Sequence, residues 1–143
     1  MQTFSFFQQS SEIRQLLKET TTIAIVGLSP KENRPSNMVG RYLADAGYTI
    51  FPVNPGQNLV LGVKCYPNLL SLPGSIDIVN IFRKSEDVLP IVEEALSLNP
   101  LPKAIWMQQG IRNEKAAELA KKKGVLVIMD RCLKIDHEAF KRT

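Results

Sequence analysis

The chain has 143 residues, is 44% hydrophobic and 22% charged, and carries a formal net charge of +4. That length supports one core burying roughly two-thirds of the unfolded surface, and that balance excludes a disordered chain. No apolar run approaches the roughly 20 residues that cross a bilayer. The aromatic N-terminus around Phe4, Phe6 and Phe7 lacks the basic region and small-residue cleavage site of a signal peptide, so the cytoplasm is the expected location. Cys65 and Cys132 lie far apart and His137 is the single histidine, which argues against a zinc site, and no metal is expected. Much of the basic excess lies in Lys121, Lys122 and Lys123 and in the tail from Lys141, where it reads as a solvated face. Without aromatic and basic residues interleaved, no nucleic-acid partner is expected.

In chain order, a leader helix is predicted over 11–19, with Ile13, Leu16 and Leu17 on one face. Residues 22–27 form a continuously apolar strand. Helical spacing of Met38, Val39, Tyr42, Leu43 and Ala46 predicts a helix over 36–46, ended by Gly47. A second strand covers 48–53 and closes at the turn Asn54-Pro55-Gly56. Residues 57–72 are less regular, with one short segment around 63–66. The third strand covers 76–82. Ser85 is the expected N-cap of the next helix, whose stripe runs from Val88 to Leu96. A fourth strand covers 104–107. Asn113 is expected to cap a helix that stops at Gly124, followed by a fifth strand over 125–129 and a last helical turn over 136–141.

Apolar strands separated by single helices mean a parallel sheet covered on both faces. The expected fold is therefore α/β, a doubly wound, Rossmann-like sheet of about five strands in one domain over residues 1–143. Residues 1–20 form its leader helix and 134–143 its tail. Ligands of such sheets bind beyond the carboxyl ends of the strands, so function is sought in the residues just past each strand.

After the first strand come Gly27, Leu28 and Ser29, then Arg34, Pro35 and Ser36 at the start of a helix. A glycine turn feeding a helix N-terminus makes an anion site, where Ser29 and Ser36 can donate and Arg34 offers paired charged donors to a pyrophosphate. The plainer alternative is a surface loop with Ser36 as a helix cap. The second and third glycines of the dinucleotide fingerprint are missing. So is the carboxylate that would hold an NAD ribose after the second strand, because Asp45 falls inside the preceding helix. After the third strand, Phe82 is a candidate wall for an adenine or a pantetheine arm, or simply core, and Arg83 and Lys84 are candidates for a further phosphate or plain surface charge. Gln108 and Gly110 come after the fourth strand. Asp130, Arg131 and Cys132 come after the fifth. Cys132 is the one potential nucleophile near the expected cleft and would need a base or cation such as Arg131 to act as one, and the favoured alternative is a buried, unreactive cysteine. These residues make no convincing catalytic constellation.

Together they resemble the small stand-alone CoA-binding proteins of Rossmann-like fold, related to the CoA-binding domain of succinyl-CoA synthetase and other acyl-CoA ligases. The resemblance rests on Val26-Gly27-Leu28-Ser29 with Arg34-Pro35-Ser36, on Pro52-Val53-Asn54-Pro55, on the run from Asp77 to Arg83, on the run from Trp106 to Gly110, and on Asp130-Arg131-Cys132, in that order. It implies coenzyme A or an acyl-CoA as ligand. The first loop and Arg34, Pro35 and Ser36 would hold the pyrophosphate, and Val53, Asn54 and Pro55 would border the adenosine. Phe82 and Arg83 would close over the nucleotide, and Gln108 and Gly110 would lie along the pantetheine path. Cys132 is a further candidate cofactor contact, with its meeting the CoA thiol left open. Two departures stand out. The ligases carry a further domain with a phosphorylated histidine for which this chain has no room, and Gly56 follows Pro55 where relatives often place a basic residue. The expected function is binding without catalysis. The alternatives are an NAD(P)-binding redox protein and an accessory CoA-binding subunit of a separately encoded ligase, which leaves room for a protein partner.

Overall fold

The computed structural model describes the backbone of residues 2–142 and the side chains of residues 9–142. The chain runs α1 (Gln2–Glu19), β1 (Thr22–Val26), α2 (Pro35–Asp45), β2 (Thr49–Val53), β3 (Leu59–Val60), β4 (Val63–Lys64), β5 (Ile78–Ile81), α3 (Val88–Ala95), β6 (Ala104–Met107), α4 (Glu114–Lys122), β7 (Leu126–Ile128) and α5 (Leu133–Lys141). Five of the strands form one sheet in the order β2-β1-β5-β6-β7, every pair parallel. The chain leaves β1 to place β2 on one side and returns to place β5 on the other. The β1–β5 crevice is therefore the point where strand order reverses, the place such sheets reserve for ligands.

The two faces result from the pleat. Ala24, Val26, Val79, Ile81, Ile105 and Met107 pack with Val88 and Val92 of α3 and Ala116, Ala117 and Ala120 of α4. Ile23, Ile25, Ile78, Trp106 and Ile128 pack with Leu16 and Leu17 of α1, Val39 and Leu43 of α2, and Leu133 of α5. Each buried Leu or Ile side chain contributes about 1.5–3 kcal/mol, which is why both helical layers are held tightly. Asn80, paired in register with Ile25 and Trp106, interrupts the second face. It is fully buried and neither amide atom has a hydrogen-bond partner, a cost of about 1–3 kcal/mol.

The fold class is the expected one, and several boundaries differ. The leader helix begins well before residue 11. Residues 57–72 hold a two-stranded hairpin, β3–β4, plus a bridge from Tyr66 to Val53 and a short 3₁₀ turn over Leu69–Ser71. The hairpin turns at Leu61 (φ 56°) and Gly62 (φ 75°), both left-handed. Leu61 is anchored there by packing over Gly40, where an added Cβ would lie 3.0 Å from its Cδ1. Ser85 does not cap α3. It opens a 3₁₀ turn over Ser85–Asp87, its Oγ accepts from the Arg112 N–H (3.0 Å), and Asp87 takes the cap position without a side-chain bond. Asn113 does cap α4, its Oδ1 accepting from the Ala116 N–H at 2.9 Å. The expected final turn is a nine-residue helix.

Candidate functional site

Gly27 ends β1 at φ 90° and donates its N–H to the Val53 carbonyl at 2.8 Å. A Cβ there would run into the carbonyl oxygen of Phe82 and lie 3.3 Å from Cζ of Arg83. Only glycine lets the ends of β1 and β5 close this tightly.

The loop beyond Gly27 is built from its own polar groups. The Ser29 N–H donates to Ser36 Oγ (3.0 Å), the Lys31 N–H donates to Ser29 Oγ (3.1 Å), and Asn37 Nδ2 donates to the Ser29 carbonyl (2.8 Å). Arg41 completes the brace, donating to Asn37 Oδ1 (2.8 Å) and to the Glu32 carbonyl (2.9 Å). Ser36 is thus inside α2 rather than its cap, since Pro35 takes the first helical position and Arg34 the cap, with no side-chain bond. Both serine hydroxyls accept a backbone N–H and keep their own proton to donate. The positive end of the α2 dipole is left without a side-chain cap.

Asn54 joins this loop to the second strand end. Its Nδ2 donates to the Leu28 carbonyl (3.0 Å), its Oδ1 accepts from Arg83 Nη2 (3.4 Å), and its carbonyl accepts from Cys65 Sγ (3.5 Å). Burial pushes the Cys65 thiol above its ordinary pKa and keeps it protonated.

These pieces line an open cleft of about 470 Å³, with Gly27, Ser29, Arg34, Pro35, Ser36, Asn54, Phe82 and Arg83 on its walls together with Pro30, Lys31 and Gln57. Lys31 and Gln57 are members that the sequence reading missed. Each lies two residues past one it singled out, Ser29 and Pro55, and for Lys31 the cation in the loop was the available signal. Leu28 and Val53 are buried and do not line this cleft, their carbonyls accepting from Asn54 Nδ2 and the Gly27 N–H. A second open cleft of about 460 Å³ shares Phe82 and Arg83 and continues past Lys84, Asp87 and Ile111.

The β6 and β7 ends are arranged otherwise. Gln108 is 4% exposed and does not reach either cleft. Its Oε1 accepts from the Leu133 N–H at 3.0 Å and so caps α5. Gly110 (φ 85°) donates its N–H to Asp130 Oδ1 at 2.6 Å, and Asp130 is itself left-handed (φ 59°). Trp106 Nε1 donates to the Arg131 carbonyl (2.8 Å). Arg131 grips both oxygens of Asp136 at 2.7 Å, bonds that raise its already high pKa and commit its guanidinium away from the half-buried Cys132. His137 is buried, with Nδ1 2.8 Å from the Tyr42 hydroxyl and its ring against Tyr48 and Phe140. Burial, and after it Lys141, hold its pKa below the ordinary imidazole value. Among the described residues no group of three His, Cys, Asp or Glu side chains could hold a metal, and no helix is long and apolar enough to cross a membrane.

The protein YneT of Bacillus subtilis is 44% identical over 131 residues, covering 92% of this chain and 96% of that protein. The ADP-forming acetate–CoA ligase I of Archaeoglobus fulgidus is 29% identical over 119 residues. That match takes 78% of this chain but spans only 17% of the ligase. A solved structure of a hypothetical protein from Pyrococcus horikoshii OT3 superposes with a TM-score of 0.88 at 36% identity, covering 92% of each chain. Residues 21–138 match the CoA binding domain family, and with these relatives and this fold the chain belongs to that family.

Proposed function

We propose that the protein binds coenzyme A or an acyl-CoA at the carboxyl ends of β1, β2 and β5, and that it performs no reaction of its own. The observation that carries this reading is the cleft over Gly27, in which Lys31, Arg34 and Arg83 converge with the free end of α2 and two serine hydroxyls. Cations, a helix N-terminus and close backbone approach suit a diphosphate. Asn54 and Gln57 offer amides beside it for the nucleoside half, and the second cleft past Phe82 and Ile111 suits the less charged arm. Family membership directs the choice among nucleotides to CoA.

Binding without catalysis is supported by how the reactive groups are used. His137 is bonded to Tyr42 and buried between helices, and Arg131 is closed onto Asp136, so neither is placed to activate Cys132. Calorimetric titration with CoA, acetyl-CoA, NAD and NADP tests the reading. CoA is expected to bind at least ten times more tightly than either dinucleotide, and tight NAD or NADP binding without CoA binding would overturn it.

A further inference from the structure

Arg83 reaches out of its own strand's territory. It lies just past β5, yet its Nη2 lies 3.4 Å from Asn54 Oδ1 in the loop after β2, and its Cζ sits over Gly27 at the end of β1. In a sheet ordered β2-β1-β5 the two side chains meet over the end of β1, where Asn54 Nδ2 also donates to the Leu28 carbonyl. The crossing is permitted by Gly27, since a side chain there would meet the guanidinium. The loop it reaches, Asn54-Pro55-Gly56-Gln57, contains no cation of its own.

The charge of the cleft sharpens the point. Lys31, Arg34 and Arg83 line it, no carboxylate does, and none of the three has an ion-pair partner among the described residues. Asp87 lies in the adjoining cleft, which Arg83 also lines. Three like charges gathered in one concave site repel one another unless a multiply charged anion arrives. A diphosphate against Arg34 and the α2 terminus accounts for one part of that charge. Arg83, at the β2 loop, remains for an anionic group on the nucleoside side.

We infer that Arg83 is the specificity residue for a phosphate on the ribose, so that the site distinguishes coenzyme A from its 3′-dephospho form. This rests on the CoA reading above. The guanidinium exchanges its long bond to the neutral Asn54 for charge-assisted bonds to a phosphate dianion, an exchange worth at least tenfold in affinity.

Titration of CoA and 3′-dephospho-CoA into the wild-type protein and into Arg83→Gln tests it, with thermal midpoints confirming that the variant folds. The wild type is expected to prefer CoA by tenfold or more. Arg83→Gln is expected to lose most of that preference, its affinity for CoA falling at least fivefold more than its affinity for dephospho-CoA. Equal wild-type affinity for the two ligands, or an Arg83→Gln loss shared equally by both, would overturn the inference and leave CoA binding standing. A wild type that binds neither ligand would overturn the CoA reading, and the inference with it.

Discussion

At the β1–α2 end of the sheet, Lys31, Arg34 and Arg83 face one open cleft with no carboxylate among them, and the first turn of α2 has no side-chain cap. At the β7–α5 end the corresponding groups are all answered from within: Gln108 caps α5, Arg131 holds Asp136 at 2.7 Å, Trp106 holds the Arg131 carbonyl, and His137 holds Tyr42. Both regions sit at the carboxyl edge of the same parallel sheet, where the fold alone would allow a ligand at either. The difference lies in polar satisfaction. Donors closed onto internal acceptors hold a helix in place, and donors left facing a cleft are available to something outside the chain.

The largest expected effect comes from Gly27, where both kinds of contact meet. Gly27→Ala forces a side chain into left-handed backbone and against the Phe82 carbonyl, in a crevice that cannot widen without parting β1 from β5. Strain at such a position costs about 1–3 kcal/mol before any clash is counted. Chemical denaturation should show a loss of at least that size, and CoA titration should show binding reduced beyond tenfold. A variant with wild-type stability would mean that the β1–β5 closure is softer than the distances require.

Arg34→Ala separates the two regions more cleanly. Arg34 lies at the cleft with no side-chain cap bond to α2 and no ion pair among the described residues. Its removal should leave stability within about 0.5 kcal/mol. CoA affinity should fall about tenfold or more, the worth of one charge-assisted contact. Asp136→Asn is the mirror experiment. It weakens a half-buried bidentate pair and should lower stability by about 1–3 kcal/mol while CoA affinity stays within about threefold. If Asp136→Asn instead weakened binding as much as Arg34→Ala, the β7–α5 end would belong to the ligand site after all.

The same contrast governs what could be read from the sequence. Strands β1 and β6 and helix α4 lie close to their predicted bounds because apolar runs and local caps such as Asn113 define them. The cleft was legible where its residues are consecutive, from Gly27 to Ser36 and from Asn54. Long-range partners were not. The start of α5 is capped by Gln108, 25 residues before the N–H it accepts, and that bond occupies a side-chain oxygen expected along the pantetheine path. The β3–β4 hairpin turns on Leu61, a residue that left-handed turns rarely use, and its Gly40 partner lies on another element. Asp77 lies in a run marked by the family resemblance, yet its carboxylate accepts the N–H groups of Thr21 and Thr22 at 2.7 and 3.2 Å, at the amino edge far from the cleft. No local pattern announces any of these.

The smallest effect is the pH dependence set by His137, whose partner Tyr42 lies on α2. Burial keeps its folded-state pKa below the ordinary 6.5, so the unfolded chain takes up a proton first as pH falls. Stability from this group is complete above about pH 6.5 and declines as pH drops through that value toward the folded pKa. Lys141 opposes protonation, Glu138 favours it, and Lys134 lies over the Tyr42 ring beside the histidine. Denaturant midpoints between pH 8 and pH 5.5 should fall for the wild type and fall less for His137→Gln, once the general loss from removing the Tyr42 contact is subtracted. CoA affinity should track neither trend, because His137 is bonded to α2 through Tyr42, two turns past the end that lines the cleft, and no hydrogen bond or charge pair among the described residues joins it to a cleft residue. A CoA affinity that moved with the His137 titration would show that α5 shifts the ligand site, and the division of the carboxyl edge into a closed half and an open half would fail.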